Sequence, residues 1–274
     1  MSKPIDGKTA LVTGGTRGIG LAIAERLRAD GAAVTITGTK VDEVVPDRFA
    51  HLSTNFLDRQ QIILFAEKIS EIRPDIVVNN AGINKISSFE EIDLSDFEAI
   101  QRVNVTAPMM ICQAALPALK ERGWGRVVNV SSVWGKISKA HRAPYSASKF
   151  ALDGMTAALA AEYAPFGILA NSIAPGFIDT DLTRQVLGKD GIALLREQVP
   201  AKRLGSTAEI AAFVGWLFWR GGCVCLHFGY DISFLFQRPK NRDICISVRP
   251  AHVQKGIYTL KSTAALTRLG CTYI

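Results

Sequence analysis

Short apolar runs alternate with amphipathic stretches along most of the chain. Residues 9–12 form a strand-length apolar run, and a glycine-rich turn follows. Beyond it Leu21, Ile23, Ala24 and Leu27 share one side, with Glu25, Arg26 and Arg28 opposite. That is the period of a helix buried on one face. Residues 33–37, 75–79, 126–131 and 168–174 read as further buried strands. Between them, 89–105 reads as a helix with Asp93 and Ser95 as cap candidates. The run 109–119 reads as another, ending at Arg122-Gly123 with Pro117 as a candidate kink. Strands and helices in alternation predict a parallel sheet covered on both faces.

The glycine turn sharpens that picture. Thr13-Gly14-Gly15-Thr16-Arg17-Gly18-Ile19-Gly20 lies between the first strand and the first helix. Gly14 permits the turn, Gly18 lets backbone approach a diphosphate, and Gly20 lets helix and strand pack closely. A helix N-terminus offers free N–H groups and a positive dipole end to that phosphate. The fold expected is therefore an α/β doubly wound parallel sheet, Rossmann-like, in one domain. The second strand ends in Gly38-Thr39-Lys40, with no acid to hold a ribose 2′-hydroxyl. Arg17 inside the turn and Lys40 beyond the strand favour a 2′-phosphate, hence NADP(H). The alternative is that both are solvated surface charges.

Length suits one large domain of 274 residues. The net charge of +7 is not evenly spread. Residues 220–274 hold eight Lys/Arg and two Asp, leaving 24 basic against 23 acidic groups in 1–219. That tail also holds Cys223, Cys225, Cys245 and Cys271, and only Cys112 precedes them. The division expected is 1–219 as a cofactor-binding domain and 220–274 as an atypical basic, cysteine-containing tail. Without a repeat or binding motif, the basic tail does not argue for nucleic acid. Arg220, His227 and Asp231 interrupt the apolar run 213–236, so no membrane span is expected. No partner pair at zinc spacing follows Cys223-x-Cys225, so no metal site is expected. The opening lacks an apolar signal core, and a cytoplasmic protein with unpaired thiols is expected.

The densest chemistry lies in 132–149. Tyr145 and Lys149 are four apart at the start of a helical run and so share a face. A cation near a phenol favours the phenolate, giving a proton donor and acceptor usable near neutral pH. Ser132 ends a strand and can face the same cleft. Alone, such a Tyr-Lys pair also fits an ordinary surface helix. Asn79 and Asn80, after another strand, can fix a loop over a cofactor. Asn104, an amide among apolar neighbours, is either a core asparagine bonded to backbone or a water-holding relay. Trp134 and Phe177 are either an apolar substrate wall or core packing.

Together these residues resemble the short-chain dehydrogenase/reductase family, over about 8–217. The matches are Thr13-Gly14-x-x-x-Gly18-x-Gly20, Asn79-Asn80-Ala81-Gly82, Asn104, Ser132, Tyr145-x-x-x-Lys149 and Pro175-Gly176. Within the family the chain is similar to 3-oxoacyl-(acyl carrier protein) reductases. The resemblance implies hydride transfer between NADP(H) and a small carbonyl or secondary alcohol substrate. It makes Tyr145 the proton donor and has Lys149 lower the Tyr145 pKa and bond the nicotinamide ribose. Ser132 orients the substrate oxygen, and Asn104 holds a relay water. It carries cofactor contact onto Gly14, Thr16, Arg17, Gly18, Ile19 and Gly20, and onto Thr39 and Lys40. Asn80, Ala81 and Gly82 join these, as do Pro175, Gly176, Ile178 and Thr180, the last two at the nicotinamide carboxamide. At adenine the family usually has an acid; Asn55, followed by Phe56, stands there instead. It also implies a homo-oligomer, dimer or tetramer. After Leu217 nothing resembles the family's last strand and turn. A chimera carrying a family ending there is expected to melt higher than this chain, and equal melting temperatures would show that the tail closes the sheet itself. A cofactor-binding protein whose ending impairs turnover is the alternative reading.

Overall fold

The computed structural model describes residues 3–41, 45–218 and 230–231. Six parallel strands form the body of the sheet: β1 (Thr9–Val12), β2 (Ala33–Gly38), β3 (Ala50–Ser53), β4 (Ile76–Asn79), β5 (Gly125–Val130) and β6 (Ile168–Ala174). Their order is β3-β2-β1-β4-β5-β6. The order reverses between β1 and β4, where Leu11 pairs with Val77. In a doubly wound sheet such a reversal is where a ligand crevice lies, at the carboxyl ends of the strands.

Two apolar layers cover the sheet. α1 (Gly18–Ala29) and α7 (Thr207–Leu217) bury Ile23, Leu27, Ile210 and Val214 with Val12 and Ile36 on one face. α2 (Arg59–Ile72) and α4 (Ala107–Arg122) bury Ile62, Phe65, Ile111 and Leu119 with Leu11 and Val77 on the other. α5 (Ala143–Tyr163) contributes Leu159 and Ala160 to that second face. Leu11 and Val12 therefore face opposite layers, as the strand period of two requires.

Several expected elements take a more detailed form. The stretch 89–105 divides into a 3-10 turn at Phe89–Glu91, α3 (Leu94–Gln101) capped by Asp93, and a π-turn at Arg102–Thr106. Pro117 does not end α4, which runs on to Arg122. Pro117 is exposed, so its missing N–H and ring lie on the solvent side. α2 is capped by Asp58, whose Oδ1 accepts from Gln60 N at 2.8 Å. Past β6, β7 (Ile178–Asp179), α6 (Asp181–Gln198) and β8 (Gly205–Ser206) fold over the crevice, with β7 and β8 paired.

Nearly all of 220–274 lies outside the described residues, as do Cys223, Cys225, Cys245 and Cys271. The exception is β9 (Tyr230–Asp231), which pairs parallel to Ile173 and Ala174 of β6. For two residues, then, the tail lies at the sheet edge that the sequence left without a strand.

Candidate active site

The glycine turn is held from two sides. Gly14 N donates to Thr37 Oγ1 at 3.0 Å, tying the turn to β2. Thr13 Oγ1 accepts from Asn80 N and Ala81 N, each at 3.0 Å. Asn80 Nδ2 returns two bonds, to Thr13 O and Gly14 O, both at 3.0 Å. The loops after β1 and β4 are thus one bonded unit at the strand-order reversal.

Gly14 and Gly18 sit at φ 61 and 56, in the left-handed region that side chains disfavour. A Cβ on Gly20 would lie 2.2 Å from Gly14 O and 2.5 Å from Asn80 Nδ2. At Gly18, by contrast, nothing lies nearer a Cβ than Thr180 Cγ2 at 3.8 Å. The surface between the helix N-terminus and Thr180 is therefore built without a side chain. This open backbone cradle at the start of α1 fits a diphosphate. Thr180 caps α6, its Oγ1 accepting from Thr183 N at 3.2 Å. Ile178 is buried in β7, and Pro175 O accepts from Val133 N at 3.0 Å. The segment 175–180 is thereby fixed between the glycine turn and the turn after Ser132.

Thr16 and Ile19 are partly buried on the cradle, while Arg17, Thr39 and Lys40 are exposed. Arg17 and Lys40 make no ion pair among the described residues. Asn55 shapes its own loop, with Oδ1 accepting from Leu57 N at 3.1 Å and its N–H donating to Gln61 Oε1 at 2.8 Å. The Phe56 ring is buried in the core, edge-on to Phe65 at 5.5 Å. Apolar burial claims that side chain and leaves only its backbone near the crevice.

Ser132, Tyr145 and Lys149 come together at the ends of β5 and β6. Ser132 faces the Tyr145 phenol closely enough to lower its pKa, and its Oγ accepts from Trp134 N at 3.2 Å. Lys149 is 3% exposed, and its Nζ donates to Val130 O at 2.8 Å and lies 5.5 Å from the Tyr145 ring centroid. Burial pulls the Lys149 pKa down to about 8, opposed by the charge of Asp153. Burial pushes the Tyr145 phenol up, opposed by the Ser132 hydrogen bond and the Arg142 guanidinium. In the protein alone, the nearby cation that favours the phenolate is thus Arg142, at the N-cap of α5. Sequence reading did not single out Arg142; its place three residues before Tyr145 was the available signal.

Asn104 lies in the π-turn, and its amide makes three hydrogen bonds within the protein. Oδ1 accepts from Ile83 N at 2.9 Å, and Nδ2 donates to Ile83 O at 2.9 Å and Ser148 Oγ at 3.0 Å. The amide is thus bonded to backbone at Ile83, with the second lone pair of Oδ1 left open among the described residues. Its position still matters to the site, because a Cβ on Gly82 would lie 3.3 Å from Asn104 Oδ1 and 3.6 Å from Lys149 Nζ. Trp134 and Phe177 stand edge-on at 6.0 Å, both half-buried, as a wall beside Ser132 rather than as core. Thr37, Ser148 and Asp153 also support the site and were missed. Each acts through a partner distant in sequence or one helical turn away. Among the described residues no group of His, Cys, Asp and Glu could hold a metal ion.

This geometry agrees with comparisons to known proteins. The short chain dehydrogenase family model matches residues 8–190. The 3-oxoacyl-[acyl-carrier-protein] reductase FabG of Aquifex aeolicus (strain VF5) is 40% identical over 226 residues, 78% of this chain and 91% of its own length. The Escherichia coli (strain K12) protein of the same name is 38% identical over 222 residues, 77% of this chain and 90% of its own. Among solved structures, a candidate NAD(P) dependent gluconate 5-dehydrogenase from Beutenbergia cavernae, with bound NADP at low occupancy, superposes with a TM-score of 0.76. It is 29% identical and covers 83% of this chain and 95% of its own. A candidate gluconate dehydrogenase from Agrobacterium tumefaciens gives 0.72 at 31% identity, covering 81% and 92%. A family match across most of the described body, with close agreement in both sequence and fold, places the chain: it belongs to the short-chain dehydrogenase family.

Proposed function

We propose that the protein is an NADP(H)-dependent oxidoreductase interconverting a small carbonyl compound and its secondary alcohol, with Tyr145 as the proton donor. The observation that carries this is the Ser132–Tyr145–Lys149 cluster beside an open glycine cradle. Bound NADPH supplies the hydride. Ser132 and Tyr145 then hold the carbonyl oxygen between two hydroxyls, and the phenol proton passes to that oxygen as negative charge develops there. The Arg142 guanidinium, with the buried Lys149 ammonium 5.5 Å from the ring, stabilises the phenolate left behind. Trp134 and Phe177 narrow the cleft on the substrate side and exclude water.

The relatives' names offer two substrate types, 3-oxoacyl thioesters and gluconate-type sugar acids. The higher identities belong to the 3-oxoacyl-[acyl-carrier-protein] reductases, so a 3-oxoacyl-type carbonyl is the first substrate to assay. A homo-oligomer in the cytoplasm completes this reading. Exposed Met109 on α4 and Phe150 on α5 are apolar side chains that a second copy would cover.

NADP(H) over NAD(H) follows from the cations near the end of β2 and from the NADP in the Beutenbergia cavernae structure. One charge-assisted contact to the 2′-phosphate contributes roughly 1.5–3 kcal/mol. Arg17→Ala is therefore expected to cut the NADPH/NADH preference by about tenfold to a hundredfold, read from kcat/KM with each cofactor. An unchanged ratio would show that Arg17 does not read the phosphate.

A further inference from the structure

Asp153 is a buried carboxylate that the proposed chemistry does not use. It lies one turn beyond Lys149 on α5 and is 6% exposed. Its Oδ1 accepts from Ser172 Oγ on β6. Lys136, just past the turn that begins at Ser132, places Nζ 2.9 Å from its Oδ2. The turn itself rests on the same carboxylate: a Cβ on Gly135 would lie 2.8 Å from Asp153 Oδ2, 2.7 Å from Ser131 Oγ and 3.1 Å from the Lys149 carbonyl carbon. One side chain thus meets the strand before Pro175, the turn after Ser132 and the helix that carries Tyr145 and Lys149.

A buried charge is costly unless something uses it. Part of its compensation comes from Lys136, but the ammonium of Lys149 is buried more deeply and has no carboxylate in ion-pair contact. It bonds only the neutral Val130 carbonyl among the described residues. The charged or titratable groups facing this pocket are Tyr145, Lys149 and Asp153 on α5, Arg142 at its N-cap, and Lys136 from the turn. β5, β6 and the π-turn present Ser131, Ser172 and Asn104, which carry no charge. Asp153 is therefore the one anion in the pocket among the described residues, set against three cations.

We propose that Asp153 is a positioning residue whose buried carboxylate keeps Lys149 as the ammonium and seats the Ser132–Lys136 turn against α5. The direction of the Lys149 pKa accords with this: burial lowers it, and the Asp153 charge works against burial. Two substitutions separate a charge role from a merely structural one. Asp153→Asn keeps the size and an acceptor for Ser172 but removes the charge. Lys136→Met breaks the same ion pair and leaves the carboxylate in place.

The direct readout is the Lys149 Nζ titration, followed by NMR in lysine-labelled protein and assigned by its loss in Lys149→Arg. In Asp153→Asn the midpoint should fall from about 8 by about one pH unit. In Lys136→Met it should hold or rise, since a neighbouring cation is gone and the anion is freed. A midpoint unmoved in Asp153→Asn, or lowered equally in both variants, would overturn the proposal. Should Asp153→Asn not fold, Lys136→Met decides alone, and a lowered midpoint there contradicts it. The second readout, the basic limb of kcat/KM for carbonyl reduction, rests on the proposed function and should follow the Nζ midpoint. If no carbonyl is reduced, the functional reading fails while the titration still judges Asp153.

Discussion

Tyr145→Phe removes nearly all carbonyl turnover and leaves NADPH binding in place. The phenol is the group bonded by Ser132, and the ring below it packs beside the Lys149 ammonium. Phenylalanine keeps the ring, so the helix start and the Lys149–Val130 bond have no reason to move. What goes is the proton. Positioned general acid catalysis contributes about 10²–10⁴-fold, so kcat should fall by that factor, with the Kd for NADPH changed little. Because burial pushes the phenol up, Tyr145 should stay protonated through neutral pH, and the basic limb of reduction is expected to follow Lys149, whose pKa burial lowers to about 8. A variant that keeps most of its activity would take the proton donor away from Tyr145.

Gly20→Ala should be the most damaging small substitution in the cofactor cradle. The added methyl meets Gly14 O at 2.2 Å and Asn80 Nδ2 at 2.5 Å, and the first of these is backbone. α1 must move off the turn, or the Thr13–Asn80 junction must open. Overpacking of this kind costs about 1–3 kcal/mol, and the displaced turn is the diphosphate cradle. Lower melting temperature and roughly tenfold or more weaker NADPH binding are expected together. Gly154→Ala is the matched control: it lies in α5 with nothing within 4 Å of a Cβ, so it should be neutral or stabilising by about 1 kcal/mol. Similar behaviour of the two variants would contradict the close-packing account of Gly20.

Local pattern carried much of this molecule. β1 and β6 fall where their apolar runs lie, and Tyr145 and Lys149 share a face because the helix period puts them there. The glycine turn was legible because strand, glycines and helix are adjacent in sequence. What stayed hidden depends on distance along the chain. Thr37 Oγ1 holds a turn 23 residues earlier, and no local pattern announces that bond. Asp153 owes its place to Ser172 and Lys136, 19 and 17 residues away in the chain, and no local pattern marks it. That the Phe56 ring turns into the core against Phe65 could not be read from its place beside Asn55. α2 could have been read from the Asp58 cap and the spacing of Ile62, Phe65 and Ile69. β7 and β8 are two residues each and pair Ile178 with Gly205, far along the chain, too short for a local pattern to mark them.

The central claim is hydride transfer to a carbonyl carbon with the proton taken from Tyr145. The most direct test gives the protein NADPH carrying deuterium at both nicotinamide C4 positions, with 3-oxoacyl thioesters and keto sugar acids as acceptors. Mass spectrometry then reads the alcohol formed. The account predicts one deuterium on the carbinol carbon per NADPH consumed, with product formation suppressed in Tyr145→Phe. Alcohol without the label, or no alcohol from any acceptor while NADPH binds normally, would contradict it.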